Sequence, residues 1–505
     1  MNTISKWSNN TTKTSMNNPS YPTLPMKTSH ISFARPVPHR LALAVVAAAA
    51  LLAGCSMIPT YERPAAPVAA EWPGAAAPAN GAVSTPAADL PWQDFVGDAS
   101  LRELINLALA NNRDLRVAIL NIEQVRAAYQ IRRADQFPTL NLAATGQRQP
   151  KGDGSDGIAS TYTAGLAMAS WEIDFFGRVA SLKESALAQY MASEEARKAA
   201  QTSLIATVAN AWLSLQTNDE LLALTERTLV TRNDSLRLTK LRLDNGAASA
   251  LDFRQAESLT ASARASLAQQ RRLRAQDVNA LTLLVGQPLP DALIATRAAP
   301  AVPAFRDVPA GLPSDLLTRR PDIRQAEQQL ISVNASIGAA RAAFFPRISL
   351  TASAGTASNE LSGLFKTGSW GWTLAPQMLL PIFDAGRNRA NLSSANVGRD
   401  IAVAQYEKAI QTAFREVADA LAGRATLDEQ VQAQQVQADA EADRFRLADL
   451  RYQNGVASYL ELLDAQRSLF AVQQAVAQTR LAYLQNQVTL YKALGGGVTG
   501  TASQP

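Results

Sequence analysis

Glu172 and Asp174, two carboxylates two residues apart, are the arrangement in this 505-residue chain that most resembles acid-base chemistry. Such a pair can divide the roles of general acid and general base. Their context argues otherwise: they close an alternating segment and stand directly before Phe175-Phe176-Gly177, where a polar exit from an apolar zone accounts for both. The other reactive side chains cluster at the start of the chain. The two histidines are His30 and His39, and the one cysteine is Cys55. A leader ending at Gly54 would take both imidazoles with it. That excludes His-based triads, His metal sites and His general bases, and a single Cys forms neither a disulfide nor a Cys-cluster zinc site. The expectation is no catalytic residue, no metal, no cofactor and no enzyme.

Cys55 has a different chemistry available. Arg35 and Arg40 precede an uninterrupted apolar run, Leu41 to Ala53, too short to span a bilayer as a helix but suited to the core of a signal peptide. The run closes in Leu52-Ala53-Gly54-Cys55, which resembles a bacterial lipobox: residues 1–54 are then a signal peptide, and Cys55 carries diacylglycerol and an N-acyl chain. Ser56 follows the cysteine, where an Asp would, by resemblance to lipoprotein sorting, hold the protein at the inner membrane, so the outer membrane is expected. Each buried CH₂ of an acyl chain contributes about 0.8 kcal/mol, so several chains tether firmly. Met26-Lys27 opens a leader of more ordinary length, so Met26 is an alternative start. The formal net charge of +5 also resides in this leader: Lys6, Lys13, Lys27, Arg35 and Arg40 face no acid there, which leaves 43 basic and 43 acidic groups in the remainder. A nucleic-acid partner is therefore not expected.

The elements that position everything else come in duplicate. Phe137-Pro138-Thr139-Leu140-Asn141-Leu142 returns as Phe345-Pro346-Arg347-Ile348-Ser349-Leu350, and Asp114 and Arg133 map to Asp322 and Arg341. One inserted residue later, Gly177-Arg178 maps to Gly386-Arg387, Asn245-Gly246 to Asn454-Gly455 and Gly286 to Gly495. Each copy, 98–286 and 314–497, reads as helix, β-hairpin, very long helix, tight turn, helix. In the first copy these are an opening helix Arg113 to Gln136 closed by Phe137-Pro138, a hairpin over about 139–174, and helices 177–244 and 249–285. In the second they are 321–343, about 347–383, 386–453 and 458–494. A Pro-rich connection, 287–313, joins the copies, with an extended segment 55–97 before them and a tail 498–505 after. The long helices reach roughly 100 Å. Leu215, Leu222, Leu229, Leu236 and Leu243 recur at sevens, answered by Val431, Ala438, Phe445 and Tyr452, which predicts a coiled-coil seam.

Between the helices lie segments of period two. Trp370, Trp372, Leu374, Pro376, Met378 and Leu380 share one face against Gly371, Thr373, Ala375 and Gln377, and Tyr162, Ala164, Leu166 and Met168 alternate in the first copy. Lengths near ten residues fit strands of an outer-membrane barrel, with Trp370, Trp372 and Tyr162 as membrane-interface aromatics. Four strands cannot close a barrel, and an open edge in lipid is not tolerated. Several copies of the chain must then share one barrel; the count is left open by this argument alone. A periplasmic adaptor or coiled-coil scaffold is the rival reading, but such proteins carry one helical hairpin, whereas the whole unit repeats here.

Several further segments carry a family resemblance: Leu317-Thr-Arg-Arg-Pro-Asp-Ile-Arg-Gln-Ala-Glu327, Leu450-Arg-Tyr-Gln-Asn-Gly455, Leu460-Glu-Leu-Leu-Asp-Ala-Gln-Arg467 and Tyr491-Lys-Ala-Leu-Gly-Gly-Gly497. From about Pro91 to Gly497 the chain resembles the TolC-type outer-membrane efflux channels, in particular their OprM-like lipoprotein branch. The resemblance implies a mainly α fold with a transmembrane β-barrel part: a homotrimer with a 12-stranded β-barrel continued by a 12-helix periplasmic α-barrel. A periplasmic adaptor and an inner-membrane pump are the implied partners, with drug-like small molecules, or proteins in type I secretion, as cargo. It also implies a gate at the helical turns. There Glu461 and Asp464 match acids that ring the pore, Asp252 matches an acid that locks the closed state, and Tyr452 matches one of its partners. An Arg partner of some members falls on Ala457, which leaves Arg451, Arg254 or Arg242 to substitute.

Overall fold

The computed structural model describes residues 56–72, 86–151, 157–295 and 305–498. The chain divides into two units, Met1–Ala53 and Gly54–Pro505, and all described residues belong to the second. The leader, Cys55 and the tail from 499 lie outside the described residues.

The first copy opens with two helices, α1 (Ala99–Asn111) and α2 (Arg113–Ala134). Each has its own cap: Asp98 accepts from the Leu101 amide and Asn112 from the Leu115 amide, both at 2.9 Å. Asn112 also donates to the Leu284 carbonyl at 2.8 Å, which fixes the break between the helices against the far end of the same copy. The sequence predicted only the second of these helices, although Asp98 and Asn112 are ordinary cap residues. After the strands come α3 (Arg178–Asp244) and α4 (Ala250–Val285). The second copy follows suit with α5 (Pro313–Arg319), α6 (Pro321–Ala342), α7 (Arg387–Gln453) and α8 (Tyr459–Ala493), its opening break set by Pro321.

The hairpin turns between long helices end in left-handed glycines, Gly246 (φ 75°) and Gly455 (φ 73°). In the second, the Val456 amide reaches back to the Arg451 carbonyl at 2.9 Å and Gly455 to Tyr452 at 3.1 Å, so the last carbonyls of α7 are met by the turn itself.

Helix α3 lies against α2 and α4 of its own copy and against α6 and α8 of the other, while α7 packs on α6 and α8. The main core forms where opening and returning helices meet. It gathers Leu101, Leu104, Ile105, Trp212, Leu213, Leu281, Ile323, Tyr406 and Val417, all buried. The segment before α1 seals it: Phe95 stacks on Tyr491 at 4.0 Å, and the Tyr491 hydroxyl donates to the Leu90 carbonyl at 2.7 Å.

The predicted leucine seam is only half right. Leu215 and Leu222 are buried, but Leu229, Leu236 and Leu243 are half-exposed, and Thr225, Arg232 and Thr239 on a neighbouring line are more deeply buried, at 0%, 5% and 1% exposure. The two lines are roughly 60° apart around the helix. Arg232 touches both Leu259 of α4 and Phe470 of α8, so the lower half of α3 is wedged between two helices and buries deepest on the line between them.

The strands β1 (Leu140–Pro150), β2 (Ile158–Ile173), β3 (Arg347–Ser358) and β4 (Trp370–Leu379) form one antiparallel sheet in that order. The two copies therefore join through β2 and β3. At the middle of that seam Gly165 faces Gly355. A Cβ on either would fall within 2.4 Å of backbone on the other strand, so glycine permits this close approach. A register shift between Met168 and Trp171, with Ser170 at φ 36°, interrupts the simple alternation. Among the described residues, strands β1 and β4 have no partner on their outer edges.

Gly286 ends α4 at φ 76°, and a Cβ there would lie 2.4 Å from the Asn111 carbonyl oxygen. Replacing Gly286 with Val combines left-handed strain of about 1–2 kcal/mol with a clash against fixed backbone. The expected result is a lower thermal midpoint in detergent, read by circular dichroism at the helical band.

Candidate functional site

The helical turns form one small apolar cluster of Ala256, Leu259, Tyr452, Tyr459, Leu462 and Leu463. Tyr452 is tilted against Tyr459 at 5.6 Å and lies beneath the Arg242 guanidinium at 4.6 Å. Burial pushes the Tyr459 hydroxyl above its ordinary pKa. The cluster ties the α3–α4 hairpin to the α7–α8 hairpin, since its members come from both.

Charged groups surround it. Ser458 caps α8 by accepting from the Glu461 amide at 3.3 Å, which leaves the Glu461 side chain exposed and 3.4 Å from Arg451. Asp464, one turn on and also exposed, pairs with Arg444, which in turn holds Glu441 at 3.1 Å. Of the residues implied for the gate, the structure thus joins Glu461 to Arg451. It does not join Asp252 to Tyr452 within the chain. The Asp252 carboxylate is turned back on its own helix start, accepting from the Ser249 amide at 3.1 Å and hydroxyl at 2.8 Å. Its position three residues into α4 makes a capping box the nearest source of donors. None of the substitute arginines reaches it either: Arg451 takes Glu461, Arg254 takes Glu257 at 2.7 Å, and Arg242 lies on Tyr452.

At the other end the sheet has two aromatic rims. Trp370 and Trp372 open β4 after the loop that follows β3, and Tyr162 lies near the start of β2, so all three sit at the loop end. Trp370 pairs across the sheet with Thr356 and Tyr162 with Ser358, which places them two residues apart along β3. Both tryptophans are more than two-thirds exposed in the single chain. A second rim, of which the sequence offered only Phe137 and Phe345 as repeat markers, occupies the strand–helix junctions: Phe137, Phe175, Phe344, Phe345, Ile382 and Phe383 are all exposed, and Phe176 stacks on Phe345 at 4.8 Å. Its signal was the recurrence of Phe-Pro at both junctions.

The Glu172–Asp174 pair sits beside this second rim and is committed to structure. Glu172 accepts from Arg178 at 2.7 and 2.8 Å and pairs with Arg347 at 2.6 Å, so it bridges the two copies. Asp174 caps α3 through the Ala180 amide at 2.7 Å.

Residues 57–63 run antiparallel along α6. The Asn334 amide donates to the Pro59 carbonyl at 2.8 Å, Arg63 grips Glu327 at 2.7 and 2.8 Å, and the Tyr61 hydroxyl donates to Glu327 at 3.1 Å. Burial beside Glu327 holds the Tyr61 proton well above its ordinary range. Gly338 makes room for this strap, since a Cβ there would lie 2.7 Å from the Ile58 side chain. The strap begins near Arg341, which donates to the Met57 carbonyl at 3.4 Å, beside the second aromatic rim.

A duplicated helical hairpin carrying a sheet of membrane-length strands with aromatic rims is the architecture of an outer-membrane channel subunit. The chain belongs to the outer membrane efflux protein family, whose model matches residues 104–287 and 312–496, one match per copy. It is 48% identical over 471 residues to the probable efflux pump outer membrane protein TtgC of Pseudomonas putida, covering 92% of this chain and 97% of that protein. It is 50% identical over 457 residues to the outer membrane protein OprJ of Pseudomonas aeruginosa, covering 88% and 94%. Among solved structures it is similar to the open state of the Neisseria gonorrhoeae MtrE outer membrane channel, at 43% identity and a TM-score of 0.79, covering 88% of this chain and 99% of that one. A membrane protein from Pseudomonas aeruginosa gives 48% identity and a TM-score of 0.82, covering 89% and 99%.

Exposed carboxylates such as Glu461 and Asp464 attract cations to any narrow passage they line. Replacing both with Ala is expected to raise single-channel conductance in planar bilayers and to weaken cation preference. Unchanged conductance and selectivity would remove these residues from the passage.

Proposed function

We propose that three copies of this chain form a continuous duct, the outer-membrane exit of a tripartite efflux pump. It discharges small organic molecules received from an inner-membrane transporter through a periplasmic adaptor. The observation that carries this reading is the pair of unpaired edges on β1 and β4. Each strand is long enough to cross the outer membrane, and every unmet backbone group in lipid costs several kcal/mol. Closure with neighbouring copies satisfies all of them, and three copies supply twelve strands. Long helices leaving each junction then continue the wall into the periplasm.

The cargo class rests on the relatives, which are named for efflux of toluene, solvents and antibiotics. A duct of this kind performs no bond chemistry; energy and selection belong to the transporter. Glu461, Asp464 and Arg451 then lie at its periplasmic end, with Asp252 and Tyr452 beside them, available to neighbouring hairpins once copies assemble. Acylation of Cys55 is supported by the lipobox and by the strap, because Ser56 and Met57 start beside the aromatic rim at the strand–helix junctions.

The test joins assembly and transport. Full-length protein in detergent should give a trimer by native mass spectrometry. Supplied with its adaptor and transporter, it should restore solvent and antibiotic tolerance to a Gram-negative host stripped of its own outer-membrane channels. A monomer that is stable in water without detergent would overturn the reading. Radiolabelled palmitate should enter the wild-type protein and not Cys55→Ala.

A further inference from the structure

Arg232 is buried in the periplasmic helices, yet it has no carboxylate partner among the described residues. Its Nη1 donates to the Leu259 carbonyl at 3.2 Å, and its guanidinium lies over the Phe470 ring at 5.0 Å. Its Nε is buried and meets no acceptor. A cavity of about 80 Å³ opens beside it between α3, α7 and α8, lined by Thr231, Arg232, Phe445, Gln466, Phe470 and Gln473 among others. The Gln466 Oε1 atom is likewise buried without a donor.

The surroundings are short of negative charge. No Asp or Glu lines the cavity, and Arg467 on α8 adds a second guanidinium whose field acts on Arg232. The acids on adjacent helix faces are already engaged: Asp464 with Arg444, Glu461 with Arg451 and Glu257 with Arg254. Burial and Arg467 both press Arg232 to shed its proton, but a guanidinium keeps it in proteins. A permanent cation away from water requires a counter-charge or a polar ligand.

We propose that this cavity binds one small inorganic anion of chloride or bromide size, held by Arg232 Nε and by the side-chain amides of Gln466 and Gln473. Turning the Gln466 amide by half a revolution, an assignment that heavy atoms alone do not fix, presents its NH₂ where the unmet oxygen stands. One anion then satisfies both orphan groups. Thr228 and Thr231 do not compete as donors, because their hydroxyls already give hydrogen bonds to the Leu224 and Arg227 carbonyls. The space suits an ion with a water, since one water occupies about 30 Å³ of liquid, and it is far below the roughly 300 Å³ of a pocket for an organic ligand. The occupant links α3 of one hairpin to α8 of the other, about one to two helical turns from Glu461 and Asp464. Its release would loosen the hairpins relative to each other.

Crystals of the full-length protein grown in bromide provide the direct test. An anomalous scattering peak is expected at hydrogen-bonding distance from Arg232 Nε in the wild type and is lost in Arg232→Met. In detergent solution, bromide or chloride should raise the thermal midpoint by a few degrees over gluconate at equal ionic strength. That halide advantage should vanish in Arg232→Met and shrink in Gln473→Leu. Wild-type crystals that show only ordered water, or a carboxylate of a neighbouring subunit, would overturn the proposal, as would a halide advantage that survives in Arg232→Met. The bromide map of the wild type decides the matter even if the variants fold poorly.

Discussion

Unpaired N–H and C=O groups along the outer edges of β1 and β4 impose conditions on every other part of this molecule. In water they would find solvent; in hydrocarbon they find nothing, and each unmet group costs several kcal/mol. A sheet of four strands therefore has to meet other sheets, and the rest of the chain has to be compatible with a ring. The close approach of Gly165 and Gly355 lets the two copies join without a gap. The Glu172 carboxylate, gripped by Arg178 of one copy and Arg347 of the other, locks the foot of the same seam. Helices α3 and α7 begin directly beyond the second aromatic rim, so each hairpin passes its place in the ring to a long helix.

Stability is distributed unevenly along those helices. Large apolar side chains concentrate around Trp212, Leu213, Tyr406 and Tyr491, where opening helices, returning helices and the segment before α1 converge. Farther out, α3 buries Thr225, Arg232 and Thr239 on its deepest line, and the turns are held by a six-residue apolar cluster with exposed ion pairs around it. Pairs such as Arg451–Glu461 are solvent-exposed, contribute at most about 1 kcal/mol each and weaken with salt. The end of the molecule carrying the acids is thus also the end with the least apolar packing, where local opening costs least.

Much of this was legible in the sequence because the signals were long-range and repeated. The offset between Phe137-Pro138 and Phe345-Pro346 revealed the duplication, and the proline-free stretch after Gly177 revealed a helix too long for a globule. What escaped was local or depended on three-dimensional neighbours. Helix α1 was missed because the opening helix was started at Arg113, although Leu101, Leu104, Ile105 and Ala108 already recur at helical spacing behind the Asp98 cap. The leucine seam failed beyond Leu222 because periodicity reports one contact face, whereas the lower half of α3 has two. The residues that the resemblance implies for a gate fall at the helical turns, but the contacts of Asp252 were not recoverable: a short acid three residues into a helix finds Ser249 before it finds anything across space. The second aromatic rim needed the sheet to bring Phe137, Phe175, Phe344 and Phe383 to one end.

The seam between β2 and β3 has a kinetic corollary. In the three-copy ring proposed above, single-hairpin units would require six bodies to collide and align, with a yield that falls steeply on dilution. Here the connection between copies makes half of those encounters intramolecular, because the folded chain already holds its two hairpins side by side. Assembly in a crowded, thin periplasm is thereby reduced from a six-body to a three-body problem. Fusion also frees the two halves to diverge, so the turn ending in Gly246 and the turn ending in Gly455 no longer need to face the same neighbours.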